Sequence, residues 1–226
     1  MNTQNNPTIE AWKNLQTEIT ETCQDYNRPL EEVELIAVSK TVSAEDIRPL
    51  LQAGQHLFAE NRVQEAAEKW PCLRQQFATI ELHLIGPLQS NKTAEAVKIF
   101  DVIQTVDREK IAKNLAEEMQ KQKKHLPCYV QVNIGLEPQK SGIAPQEVIP
   151  FVTQCKNHYG LDIIGLMAIP PVEDNPGPYF ALLAKLAKKA GLPKLSMGMS
   201  NDFKIALQFG SNVLRIGSAL FGKRPV

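Results

Sequence analysis

"LIAVSKTVS", Leu35 to Ser43, runs a short apolar stretch directly into a lysine. The stretch is aliphatic, bounded by polar residues and too short for a buried helix, so it reads as one strand of a sheet covered on both faces. Lys40 stands where that strand ends. Two readings are open there: a solvated tip, because an unpaired ammonium is costly to bury, or a functional group delivered to the mouth of the sheet.

Seven more runs of the same kind follow: "HLFAE", "ELHLIG", "DVIQTV", "CYVQVNI", "DIIGLMAI", "KLSMGM" and "NVLRIG". Charge-decorated helical segments separate them, the pattern of repeated βα units around a parallel sheet. "SAEDIRPLLQAG" predicts a helix with Ser43 as N-cap and Gly54 as its stop. "DREKIAKNLAEEMQKQKK" predicts another that opens at Asp107 and closes on lysines suited to the helix dipole. A further helix, Ile9 to Tyr26, precedes the first strand. Eight βα units in 226 residues predict an α/β fold of the (β/α)8 TIM-barrel type, with residues 1–226 as a single domain and an extra N-terminal helix. The proline-rich "IPPVEDNPGPY", Ile169 to Tyr179, falls where a rim loop belongs.

Composition excludes several classes. Lysine plus arginine, at 25, equals aspartate plus glutamate, at 25, so no global field draws the chain to nucleic acid or anionic lipid. The N-terminus, "MNTQNNPTIEAW", lacks a signal-peptide pattern, and no apolar run approaches the ~18 residues of a membrane span. The expected location is the cytoplasm. Cys23, Cys72, Cys128 and Cys155 are scattered, without metal-ligand spacing, and read as reduced thiols.

Functional groups of such barrels sit at the carboxyl ends of the strands. Strand one delivers Ser39 and Lys40; strand two Glu60, Asn61 and Arg62; strand five Asn133, Lys140 and Ser141; strand seven Ser200, Asn201 and Asp202; strand eight Arg215, Gly217 and Ser218. The loops after strands seven and eight are the usual phosphate site of the architecture. Ser200 and Ser218 have hydroxyls to donate, and Gly217 lets the backbone approach closely. Each also has an ordinary reading, Ser200 as the N-cap of "NDFKIALQFG" and Gly217 as a plain turn. A lysine facing a phosphate site across the barrel mouth is the arrangement that holds pyridoxal 5'-phosphate, with its phosphate on one side and an amine for its aldehyde on the other.

"AVSKT" (Ala37 to Thr41), "ENRVQE" (Glu60 to Glu65), "HLIGPLQSNK" (His83 to Lys92), "GLMAIPP" (Gly165 to Pro171), "SMGMSNDF" (Ser196 to Phe203) and "VLRIGSALFG" (Val213 to Gly222) together resemble the YggS/PROSC family of pyridoxal phosphate homeostasis proteins. The resemblance runs from Leu35 to Gly222. It implies a barrel of the alanine-racemase N-terminal type, fold type III, with Lys40 holding pyridoxal phosphate as an internal aldimine. It further implies Ser200, Gly217 and Ser218 around the phosphate, Arg215 facing the pyridine nitrogen and Asn61 close to the cofactor. Ala59 departs from the glycine common before "ENR". A permanent guanidinium opposite the ring nitrogen disfavours its protonation and weakens the electron sink of carbanion chemistry. Racemases of the fold type add a second domain, which supplies a tyrosine across the dimer. Here the sequence runs four residues past the last motif, and Tyr26, Tyr129, Tyr159 and Tyr179 lie outside such a tail. The expectation is an open, monomeric cofactor carrier rather than an enzyme, handing pyridoxal phosphate to apo-enzymes that require it.

Two other functions compete. "GPLQSNKT", Gly86 to Thr93, is a near miss to the nucleotide-binding loop, but Pro87 removes an N–H and Asn91 replaces the second glycine. An amino-acid racemase or lyase working without the second domain would need another acid/base near Lys40. His83, the histidine beside a motif, reads instead as a packed strand residue. "KQKKH", Lys121 to His125, reads as a solvated helix end, and "FALLAKLAKKAG", Phe180 to Gly191, as an outer barrel helix.

Overall fold

The computed structural model describes residues 6–222. Helix α1 (Pro7–Asp25) comes first; Asn6 caps it by accepting from the N–H groups of Thr8 and Ile9, with Pro7 at the first turn. It starts and ends slightly earlier than the predicted Ile9 to Tyr26. Leu15, Ile19 and Cys23, spaced four apart, form its buried stripe, and it packs on α2, α8 and α9.

Strands β1 (Glu34–Val38), β2 (Leu57–Glu60), β3 (Glu81–Leu84), β4 (Val102–Val106), β5 (Cys128–Val132), β6 (Ile163–Ala168), β7 (Lys194–Ser196) and β8 (Val213–Ile216) close a parallel barrel in sequence order. The helices between them are α2 (Ala44–Gln52), α3 (Val63–Gln76), α4 (Thr93–Ile99), α5 (Glu109–Gln122), α6 (Val148–Asn157), α7 (Gly177–Lys189) and α8 (Phe203–Gln208), with the short α9 (Ser218–Phe221) after β8. The eight predicted strands and the barrel are therefore present. All five residues of β4 are buried, as a strand covered on both faces requires.

Three local expectations are corrected. Ser43 caps α2 as predicted, but Asp107 does not open α5: Arg108 occupies that position, and the Asp107 carboxylate accepts from the Arg108 guanidinium at 2.6 Å. Strand β7 stops at Ser196 rather than running to Met199, because Gly198 adopts φ +93, a left-handed backbone incompatible with a strand. A Cβ on Gly198 would also lie 2.6 Å from Ala206 Cβ, so the glycine lets α8 seat closely. Ser200 does not cap α8 either; Asp202 precedes that helix, and its carboxylate accepts from the Met199 N–H.

Side chains alternate between two cores. Those facing the helices, among them Phe58 and Leu82, pack with helix residues such as Trp70 into the large outer core. Those facing inward, including Ile36, Val38, Ala59, Tyr129 and Met167, form a small core inside the barrel. That period of two carries the inward rows to the mouth, where the candidate residues sit.

Candidate functional site

Lys40 lies two residues beyond inward-facing Val38, Asn61 two beyond Ala59, and Arg215 two beyond Val213. Arg215 is registered opposite Ile36 of β1, so it sits deeper in the barrel than Lys40. The result is a cavity of about 670 Å³ at the carboxyl ends of the strands, and Lys40, Asn61, Ser200, Arg215, Gly217 and Ser218 all line it. The structure thus brings all six sequence candidates together. It adds Lys140, Gln131 and Asn133 from β5 and the loop after it; of these, Gln131 was not anticipated as a strand-end group.

Arg215 forms the floor, 3 % exposed, and donates from Nη2 to the Ala168 carbonyl at 3.0 Å and from Nη1 to Ser196 Oγ at 2.7 Å. Burial brings the guanidinium down to about 10, against the opposing pull of Asp202 and Tyr129, so it remains a cation at neutral pH. From Ser196 a single chain of hydrogen bonds crosses the barrel interior. Ser196 Oγ meets Gln104 Oε1 at 2.6 Å, Gln104 Nε2 meets His83 Nδ1 at 2.8 Å, and His83 Nε2 meets Glu81 Oε1 at 2.8 Å. Arginine can only donate, so Ser196 must pass its own hydrogen to Gln104, the Gln104 amide must donate to Nδ1, and the His83 ring donates from Nε2 toward Glu81. The His83 bond lowers Glu81 below the ordinary carboxylate value. A cation at the cavity floor is therefore joined to an anion at the opposite end of the barrel by uniformly directed bonds. Runs of β-rich residues do not by themselves reveal this chain of bonds. The available signal was a polar residue inside each of two apolar runs, His83 in "ELHLIG" and Gln104 in "DVIQTV".

The loops after β7 and β8 meet at the cavity rim. Ser200 Oγ accepts from the Ala219 N–H at 3.2 Å, which ties the first loop to the first turn of α9. The Ser218 N–H, at the start of that turn, has no carbonyl within the helix to receive it. Gly217 has φ −122, so nothing in its backbone demands glycine. On the facing side Asn61 is fixed by backbone contact. A Cβ on Gly86 would fall 2.1 Å from the Asn61 carbonyl oxygen, so only glycine allows the loops after β2 and β3 to lie against each other.

Among the described residues three cationic side chains, Lys40, Lys140 and Arg215, line the cavity together with serine hydroxyls and amides; no aspartate or glutamate is part of that lining, and Glu137, outside it, pairs with Lys140. Val38, Ile85, Ile169 and Met199 supply apolar wall. His83, by contrast, is 2 % exposed and hydrogen-bonded within the barrel, as predicted, and does not line the cavity. Among the described residues no group of histidine, cysteine or carboxylate side chains could hold a metal ion, and no helix is long and apolar enough to cross a membrane.

A closed βα barrel whose described mouth lining offers lysine, arginine and serine groups beside apolar wall defines a binding site for a small ligand that carries an anionic group and a flat or apolar body. Residues 16–225 match the family described as alanine racemase, N-terminal domain. The chain is 42 % identical to the pyridoxal phosphate homeostasis protein of Pasteurella multocida, covering 93 % of this chain and 94 % of that one, and 38 % identical to its counterpart in Escherichia coli K12, covering 87 % and 88 %. PipY of Synechococcus elongatus, solved with pyridoxal phosphate bound, superposes with a TM-score of 0.78 at 34 % identity, over 92 % of this chain and 100 % of that one. Alanine racemase of Clostridium difficile, at 16 % identity and TM-score 0.71, shares the barrel over 93 % of this chain and 57 % of its own. The chain belongs to the alanine racemase N-terminal-domain family and, within it, to the pyridoxal phosphate homeostasis proteins.

Proposed function

We propose that this chain, as one barrel domain over residues 1–226, holds pyridoxal 5'-phosphate in the cavity at the barrel mouth, covalently through Lys40, and buffers the cofactor for the apo-enzymes that need it. The observation that carries the reading is the convergence of Lys40, Arg215 and the Ser200, Gly217 and Ser218 rim on one cavity whose lining, among the described residues, holds no carboxylate. The donor set suits this group: hydroxyls and the Ser218 N–H for a phosphate, apolar Val38, Ile85, Ile169 and Met199 for a ring, and an amine for an aldehyde. Bound, the cofactor supplies an aldehyde that condenses with amines and a ring that can accept electrons.

The chain's own groups favour holding over turnover. Buried Arg215 is a fixed cation, so a ring nitrogen placed against it is discouraged from taking a proton. No tyrosine, histidine or carboxylate among the described residues lines the cavity to serve as a second acid/base opposite Lys40. The names of the relatives, homeostasis proteins rather than enzymes, agree with this. We take the acting form to be a monomer in the cytoplasm.

Titrating the purified chain with pyridoxal phosphate, followed by visible absorption, tests the reading. The wild type is expected to bind one equivalent and develop a yellow chromophore. Lys40→Ala, which alters the rim and not the core, is expected to keep its fold and lose the chromophore. Incubation of the loaded protein with L-alanine is expected to yield no D-alanine; steady conversion would return the chain to the racemases.

A further inference from the structure

The backbone that presents Lys40 is a tight turn under strain. The Val42 N–H closes on the Ser39 carbonyl at 3.0 Å, with Lys40 and Thr41 between them. Thr41 has φ 61. A β-branched residue in the left-handed region is a true outlier, and such conformations persist only where the surroundings over-determine them. The surroundings here are a cluster behind β2, on the helix side of the barrel and outside the cavity. The ammonium of Lys69, from the middle of α3, donates to the Ser39 carbonyl at 2.8 Å and to the Val42 carbonyl at 2.8 Å, the two ends of the turn. The Thr41 N–H, at the strained residue itself, donates to the Glu65 carboxylate, which also binds Lys69 at 3.0 Å.

Lys69 is in turn held by Glu60, the last residue of β2, at 2.9 Å, with side chains 8 % and 0 % exposed. Glu60 Oε1 also accepts from Ser39 Oγ at 2.7 Å and Trp70 Nε1 at 3.1 Å. Desolvation pushes Glu60 upward and the Lys69 charge pulls it back. A buried ion pair is a poor means of stabilising a fold, since apolar replacements are often as stable. Its retention needs another reason, and its contacts supply one: every acceptor of Lys69 lies on the Lys40 turn or holds Lys69 against it.

We propose that Lys69, anchored by Glu60 and Glu65, is the positioning residue for Lys40, fixing the turn so that the Lys40 amine is presented to an aldehyde in the cavity. The inference rests on the reading of Lys40 as the covalent attachment point. In the step concerned, the neutral Lys40 amine, having released its ammonium proton to solvent, adds to the aldehyde carbon; the carbon–nitrogen double bond forms as the aldehyde oxygen leaves as water carrying both amine hydrogens. Positioning bears on the rate of this step and not on non-covalent docking of the phosphate and ring.

The test compares pyridoxal 5'-phosphate with pyridoxine 5'-phosphate, whose alcohol cannot condense. Glu60→Gln/Lys69→Met removes both buried charges together, so neither is stranded. In this variant the affinity for pyridoxine phosphate is expected to stay within about twofold of the wild type, while borohydride-trappable attachment at Lys40 slows about tenfold or more, the scale of a misplaced reacting group. Glu65→Ala, at a side chain 26 % exposed, keeps the test open if the double variant fails to fold; it removes the acceptor of the Thr41 N–H and one partner of Lys69 and is expected to slow attachment about threefold or more. Attachment at the wild-type rate in a folded variant overturns the proposal, as does an equal loss for both ligands, which would make the cluster merely structural. A wild type that attaches nothing at Lys40 overturns the reading of Lys40 itself.

Discussion

Ser196→Ala removes one oxygen from the middle of the polar chain inside the barrel. Arg215 Nη1 then loses its 2.7 Å acceptor, and Gln104 Oε1 loses its 2.6 Å donor, at residues that are 3 % and 0 % exposed. A hydrogen bond to a charged group contributes about 1.5–3 kcal/mol and a neutral one about 0.5–1.5 kcal/mol, so the expected loss is about 3 kcal/mol. Ser211→Ala is the matched comparison. Ser211 is also fully buried, but its single hydroxyl proton is shared among neutral carbonyls, with Met197 O at 2.6 Å the shortest. Its loss should cost only about 1 kcal/mol. For a chain of this size each kcal/mol moves the melting point by about 2–4 °C, so thermal melts should place Ser196→Ala about 6–12 °C below the wild type and Ser211→Ala about 2–4 °C below. Urea denaturation should rank them alike. Equal losses for the two variants, or a loss under about 1 kcal/mol for Ser196→Ala, would refute the claim that the Arg215 cation depends on this chain.

Other outcomes follow from single contacts. Gly86→Ala would drive a methyl into the Asn61 backbone, which cannot rotate away, so it should cost about 1–3 kcal/mol and weaken ligand binding at the Asn61 wall, measurable by denaturation and titration. Glu81 is lowered from its ordinary 4.5 by His83, so ionised Glu81 stabilises the fold fully above the ordinary carboxylate range and loses that contribution as pH falls through the lowered value. Stability curves of the wild type and Glu81→Gln should therefore differ at pH 7 and converge in acid; divergence on acidification would reverse the assignment. Of the cysteines only Cys72 is exposed, while burial pushes Cys155 up to about 12 and Cys128 further, so a thiol reagent should label one site in the native chain and the remaining three on unfolding.

The strands were legible because a barrel strand is buried on both faces and so leaves a short apolar run that needs no partner to be recognised. The mouth was legible for the same reason: Lys40 and Arg215 interrupt or follow such runs at strand ends, and the architecture dictates that strand ends converge. Boundaries set by backbone conformation were not. Gly198 ends β7 early through its left-handed φ, and nothing in "KLSMGM" distinguishes that from a continuing strand. Asp107 has the chemistry of a cap, yet its carboxylate goes to the adjacent Arg108. Ser200 had equal claims as cap and as rim hydroxyl, and the outcome depended on α9, whose Ala219 N–H lies 19 residues away. The Lys69 cluster and the Arg215 chain were hidden because their members come from separate strands and helices, up to 92 residues apart for Ser196 and Gln104. Period and composition report which face a residue occupies, not which residue of another element it meets there.

Borohydride reduction of the protein loaded with pyridoxal phosphate, followed by peptide mass mapping, tests the central claim most directly. Loss of the yellow chromophore with a pyridoxyl mass on the peptide containing Lys40 is the result the site geometry predicts. A colourless protein, or a pyridoxyl mass carried by Lys140 in place of Lys40, would contradict it.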